Sequence, residues 1–316
     1  AATRWRLDLQ RHQTLLRALA QKEAGLQPLK RIESFTSAES PHQSTLAVDH
    51  RSRPLRLERW IPQSPRADQT WVLMMPGLGG DPNHFHWLAR SLMQAGWPVL
   101  VLEHPGSDAT AVQGLLEGRQ SFDGAAALRD RLADLEAVLE AQQRGDLNIP
   151  GTEVVLMGHS LGALTALLAS GAELVPGMAQ RCEAALAGLP LTNLSELLQC
   201  ELAAGRVLDG KEMDSPPRAV VGLNSFGGVI WPHRASRALP IPLLMVGGTL
   251  DLITPPLDEQ LALLAGLAEH PVSRVVVVEG ASHFSPIRVD GQGKASEGDD
   301  LFRLGEELVG VNPLSV

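Results

Sequence analysis

Hydrophobic and polar positions follow two alternating rhythms along the chain. Trp71–Met75 and Val99–Leu102 are short, continuous apolar runs, the pattern of strands covered on both faces. Ser44–Val48 and Leu55–Ile61 read as two earlier strands, the second closed by Pro62 and Pro65. Further strands are predicted at Val154–Met157, Ala219–Leu223, Leu243–Val246 and Arg274–Val278. Helical periods lie between them. One covers His84–Gln94 after the start signal Asp81-Pro82, and one is the stripe Leu128, Leu132, Leu135 and Leu139, ending before Gly145. Others cover Leu161–Ser170 and Pro256–Leu267. Trp5, Leu9, Leu16 and Leu19 predict a helix in the opening segment, and a last helix is expected at Leu301–Leu308. Strands alternating with helices predict the α/β class, with a mostly parallel sheet wrapped on both faces. The stretch Val175–Ser215 breaks the alternation. It is expected to form a helical cap, about 175–218, inserted in a domain covering 41–316 behind an N-terminal helix and linker, 1–40. The Gly/Ser/Asp-rich segment Asp290–Asp300 reads as a mobile loop.

This layout gives one short motif its meaning. Gly158-His159-Ser160-Leu161-Gly162 is a G-x-S-x-G pattern, weak when bare. Here an apolar strand enters it and an Ala/Leu-rich helix leaves it, the strand–turn–helix that lifts a serine hydroxyl above a sheet edge. Ser160 is the expected nucleophile. Such a serine needs a base, and the base an orienting carboxylate, each after a later strand. Asp251 follows the strand Leu243–Val246, although an aspartate before Pro255 and Pro256 also suits an Asx turn. His283 follows Arg274–Val278 in a Gly/Ser loop and is the best placed of the ten histidines. Met75-Pro76-Gly77-Leu78-Gly79-Gly80 lies after the third strand, where backbone amides can meet a tetrahedral oxyanion. The amides of Leu78 and Leu161 are the expected donors.

Composition narrows the class. A net charge of −9 argues against a nucleic-acid partner, since phosphate neutralisation needs a basic surface. With no tyrosine in the chain, no phenol serves as acid or oxyanion donor. No run is apolar enough for a membrane span, because Gly158, His159, Ser160, Gly162 and Glu173 interrupt the most apolar stretch. Two cysteines, Cys182 and Cys200, read either as buried thiols or as one disulfide, and they are too few for a metal framework. No metal and no cofactor is expected, and oligomeric state stays open.

Taken together, these residues resemble the bacterial α/β-hydrolases labelled predicted dienelactone hydrolases, many from photosynthetic bacteria, which are related to platelet-activating-factor acetylhydrolases. The resemblance runs from about Leu46 to Ile287. It includes Glu103-His104-Pro105-Gly106-Ser107-Asp108-Ala109, Leu115-Leu116-Glu117-Gly118, Asn193-Leu194-Ser195 through Leu198-Gln199-Cys200, the string Ala219–Asn224, and Glu279–Ser285. It implies an α/β-hydrolase fold with a Ser160–Asp251–His283 triad acting on a small-molecule or lipid ester. It also implies a Cys182–Cys200 disulfide and an exported or periplasmic protein, with a cytoplasmic location as the alternative. Relatives often carry an export signal and a helical region, to which only Ala1–Lys30 could correspond. True dienelactone hydrolases use a cysteine nucleophile, so the label says little about substrate. Met178, Leu186, Leu189, Leu191, Leu197 and Leu198 would either line an apolar pocket or pack the cap onto the sheet. A thioesterase, lipase or acyltransferase, and a catalytically silent binding protein of this fold, are the competing readings.

Overall fold

The computed structural model describes residues 10–11, 14–18, 39–188, 193–203, 213, 215–232, 235 and 238–288. Apolar runs become the strands β1 (His42–Leu46), β2 (Leu55–Trp60), β3 (Thr70–Met75), β4 (Val99–Leu102), β5 (Glu153–His159), β6 (Ala219–Leu223), β7 (Leu243–Gly248) and β8 (Arg274–Val278). The helices are α1 (His86–Gln94), α2 (Ala109–Leu116), α3 (Gly124–Gln143), α4 (Leu161–Ala169), α5 (Met178–Gly188), α6 (Ser195–Ala203) and α7 (Gln260–Leu267).

The eight strands form one sheet in the order β1-β2-β4-β3-β5-β6-β7-β8, antiparallel at β1/β2 and β2/β4 and parallel elsewhere. Successive side chains of a strand point to opposite faces, so β3 and β4 feed two cores. Leu73, Met75, Leu100 and Leu102 pack with Leu128 and Leu135 of α3 and Leu164 and Leu168 of α4. Val72, Met74, Val99 and Val101 pack on the other face with Phe85, Ala89 and Met93. Each leucine so buried is worth roughly 1.5–3 kcal/mol relative to exposure, which is why the unbroken apolar runs occupy the sheet centre. Chain order reverses between β3 and β5. Their carboxyl ends, paired at Met75 and Gly158, flank the kind of crevice where open α/β sheets bind ligands.

Several boundaries differ from the sequence expectation. β1 starts and ends two positions earlier than Ser44–Val48. The first helical segment opens as a 3-10 turn, Pro82–Phe85, held by a capping box in which the Asp81 side chain accepts from the chain and His84 reaches back. α2 was not expected from periodicity, and the signal for it is Asp108, whose carboxylate caps Ala111 N at 2.9 Å. α7 begins at Gln260 rather than Pro256, because Pro255 and Pro256 shape a turn first. The irregular stretch 175–215 contains α5 and α6, joined by a Cys182–Cys200 disulfide with Cα atoms 5.4 Å apart. Of the opening helix, residues 10–11 and 14–18 are helical. The rest of that helix, Leu189 and Leu191, the loop Asp290–Asp300 and the helix at Leu301–Leu308 lie outside the described residues. Among the described residues, no helix is long and apolar enough to cross a membrane.

A buried carboxylate ties α6 to the sheet. Glu259 accepts from Asn193 Nδ2 at 2.8 Å, Ser195 Oγ at 2.9 Å, Gln199 Nε2 at 3.0 Å and the amides of Gly227 and Gly228 at 2.6 and 2.8 Å. Burial pushes its pKa up, against these donors.

Candidate active site

β5 turns into α4 through Ser160, which sits at φ 51° and ψ −116°, a conformation costly for a residue with a side chain. The turn leaves no room beside it. A Cβ on Gly158 would lie 2.2 Å from the Gly162 carbonyl carbon, and one on Gly162 would lie 2.1 Å from Met75 O. Gly158 therefore lets the turn fold back onto the start of α4, and Gly162 lets α4 approach the end of β3. Ser160 N donates to Leu223 O at 2.9 Å, and its hydroxyl stands at the amino end of α4. Among the described residues, Ser160 Oγ makes no hydrogen bond, to His283 or to any other group.

The carboxyl ends of β6, β7 and β8 bring three further side chains together. His283 Nδ1 lies 3.0 Å from Asp251 Oδ2 and both residues are buried. Asp251 Oδ1 accepts from the amides of Ile253 and Thr254 at 2.9 and 2.8 Å. Its Oδ2 accepts from Asn224 Nδ2 at 2.7 Å and Thr254 Oγ1 at 2.6 Å. Burial alone would favour the neutral acid, but the charge and hydrogen bond of His283 and the Thr254 donors outweigh it and hold Asp251 at about 2. An ionised Oδ2 can only accept, so His283 Nδ1 is the donor of this pair and Nε2 is the ring nitrogen left for other partners.

Asn224 and Thr254 carried no assigned role in the sequence. Asn224 adopts φ 48° at the end of β6, a conformation asparagine tolerates better than most residues, and it also reaches Ser282 O at 3.4 Å. Thr254 Oγ1 approaches His283 Nδ1 at 3.1 Å. His159, the variable residue of the motif, packs its ring against His283 at a 53° tilt with centroids 4.9 Å apart, and its Nε2 donates to the His283 carbonyl at 2.9 Å. Burial, then the His283 charge, lower the His159 pKa to about 3, so it stays neutral.

The loop 76–80 lies against this turn. A Cβ on Gly77 would meet Ser160 Cβ and His159 Nδ1, both at 3.0 Å. Gly79 N donates to Ser107 O at 2.8 Å and Gly80 N to Gly77 O at 3.1 Å. Among the described residues, neither the Leu78 nor the Leu161 amide has an acceptor. A cavity of about 180 Å³ opens beside Leu78, bordered by Val112, Leu115, Phe122, Ala126 and Ala127. A larger groove of about 630 Å³ runs along α3 past Trp71, Leu132 and Val154, towards the amino ends of β3 and β5 and away from Ser160. Among the described residues, no cluster of His, Cys, Asp or Glu could hold a metal.

The buried histidines make stability acid-sensitive. Burial, reinforced by the Arg131 charge, lowers His104 to about 4, and His159 stands at about 3. An unfolded chain takes up protons near the ordinary value of 6.5, whereas the folded one does not. This contribution is complete above pH 6.5 and is lost as pH falls towards 4 and below. Asp251 adds a second loss only below its ordinary 3.8. The melting temperature, followed by circular dichroism at constant ionic strength, should fall between pH 7 and pH 4.5. An unchanged midpoint across that window would contradict neutral burial.

Residues 72–290 match the alpha/beta hydrolase family, more than half of the chain. Solved structures similar to the chain include esterase 2 of Thermogutta terrifontis in its apo form, 16% identical, covering 87% of this chain and 95% of that one with a TM-score of 0.49. An alpha-beta serine hydrolase homologue from Coxiella burnetii is 16% identical over 87% and 99% of the two chains, with a TM-score of 0.45. A serine hydrolase from Xanthomonas campestris described as lacking a lid is 18% identical over 79% and 89%, with a TM-score of 0.46. No curated protein sequence matches the chain.

Proposed function

Because the chain belongs to the alpha/beta hydrolase family, with its mostly parallel eight-stranded sheet, we propose that it is a serine esterase with Ser160 as nucleophile, His283 as base and Asp251 as orienting acid. The observation that carries this reading is the Asp251–His283 hydrogen bond, which leaves Nε2 basic on the strand ends beside the strained Ser160 turn. In unliganded hydrolases the serine–histidine bond is commonly loose and tightens with substrate. His283 Nε2 takes the Ser160 proton as Oγ attacks the ester carbonyl, and the Leu78 and Leu161 amides receive the oxyanion. The imidazolium then protonates the leaving alcohol. Water, deprotonated by the same nitrogen, releases the acid from Ser160, while Asp251 stabilises the charged ring in both half-reactions.

The substrate in this reading is an apolar small-molecule or lipid ester. Exposed Leu115 and Leu116 on α2, Leu186 on α5, and Leu194 and Leu197 beside or on α6 support it, as does a cap at 175–218 within a 41–316 domain. The motif strings support kinship with the predicted dienelactone hydrolases, and the disulfide supports export, since such bonds persist in oxidising compartments.

A fluorophosphonate probe tests the proposal. Folded protein should be labelled on the peptide containing Ser160, read by mass spectrometry, and a panel of p-nitrophenyl esters from acetyl to long acyl should show turnover. Folded protein that resists the probe would favour a non-catalytic binding role.

A further inference from the structure

We infer that Arg131, outside the Ser160–Asp251–His283 set, is a positioning residue that holds loop 76–80 with the Leu78 amide turned towards the oxyanion. The inference rests on the esterase reading above. Arg131 projects from α3 with 1% of its surface exposed, and it touches three segments that frame the site. Its Nη2 donates to Pro76 O, its Nη1 to Ser107 Oγ at 2.8 Å and its Nε to Thr165 Oγ1 at 3.3 Å. Thr165 in turn donates to Leu161 O at 2.8 Å, on the first residue of α4.

The loop needs such an anchor. Gly77 and Gly79 impose little conformational preference of their own, and Pro76 has no N–H with which to fix its start. The Leu78 amide lies between two external holds: Arg131 on Pro76 O, and Ser107 O on Gly79 N at 2.8 Å. Ser107 belongs to both, since its hydroxyl takes Arg131 and its carbonyl takes the loop. A planar guanidinium with donors in several directions can bind Pro76, Ser107 and Thr165 at once, which an ammonium on a flexible stem cannot.

The cation is expensive to bury, and its surroundings are arranged to keep it. Asp134, one turn along α3 and with 0% exposure, faces it. That carboxylate also accepts from His104 Nδ1 at 2.8 Å, His50 Nε2 at 2.7 Å and Arg51 Nε at 2.6 Å. Burial pulls Arg131 down to about 9 against the Asp134 charge, so it is cationic at neutral pH. If filling space were its only task, an apolar side chain would do so without desolvating a charge. The string Glu103–Ala109, which the triad leaves unused, gains a purpose here through His104 and Ser107.

Arg131→Met, Arg131→Lys and Thr165→Val are compared with wild type in ester turnover and in inhibition by a phenylboronic acid, whose tetrahedral adduct mimics the oxyanion. Misplacing one oxyanion donor costs about 10²–10³ in kcat. Arg131→Met should lose about 10²-fold in kcat with KM within about twofold, and boronate affinity should fall in parallel. Arg131→Lys should recover about tenfold by keeping the Pro76 contact. Folded Arg131→Met with wild-type kcat, a loss confined to KM, or unchanged boronate affinity overturns the inference. Should Arg131→Met not fold, Thr165→Val decides: lower kcat at constant KM supports the role, and wild-type kinetics refute it. A wild type that neither turns over esters nor reacts with the fluorophosphonate would instead refute the esterase reading.

Discussion

Replacing Ser160 with alanine is expected to lower ester turnover by about a millionfold, to the residual rate that binding and oxyanion donors alone sustain. The loss is chemical, not structural. The Ser160 hydroxyl makes no hydrogen bond among the described residues, so its removal orphans nothing. Alanine meets the same φ of 51° with a Cβ of the same size, so the strain of the turn is carried over, not increased. The thermal midpoint should therefore stay within a few degrees of wild type while p-nitrophenyl acetate turnover disappears. Turnover within a thousandfold of wild type in purified, folded Ser160→Ala would remove Ser160 from the mechanism.

Asp251→Asn is expected to cost about 10⁴ in kcat with little change in KM. The direction of the amide decides this. The amides of Ile253 and Thr254 both donate to Oδ1, so they select the asparagine oxygen for that position. The NH2 group is then forced to the Oδ2 position, facing His283 Nδ1 and the Asn224 NH2. A donor there selects the imidazole tautomer with its proton on Nε2, and such a ring cannot accept the Ser160 proton. The same substitution should abolish the stability loss below pH 3.8 that Asp251 contributes, because asparagine does not titrate. Full activity in Asp251→Asn, with its fold verified by circular dichroism, would leave the carboxylate a purely structural residue.

The fold was legible where burial is symmetric. β3 and β4 are covered on both faces, so their sequences are unbroken apolar runs, whereas β8, at the sheet edge with its positions partly exposed, was bounded instead by its run of four valines. Periodicity failed where capping or covalent chemistry replaces a wide apolar stripe. α2 exposes Leu115 and Leu116 and depends on the Asp108 cap, while α5 and α6 meet through a disulfide. Around the candidate site, Ser160 could be found because two glycines and a strand–helix junction surround it in sequence. His283 and Asp251 could be located by strand order. Asn224, Thr254 and Arg131 could not. Asn224 and Arg131 act through hydrogen bonds spanning strands or layers, to Asp251 and to Pro76, which leave no local pattern, while Thr254, three residues from Asp251, reads in sequence as an ordinary turn residue.

The Glu259 hub has a dynamic consequence. Swinging α6 outwards would pull Asn193, Ser195 and Gln199 from a carboxylate whose remaining partners are the amides of Gly227 and Gly228. A buried acid that loses most of its donors is costly, so α6 belongs to the same cooperative unit as the end of β6. Its amide protons would then exchange with solvent on the timescale of global opening, in step with those at the end of β6.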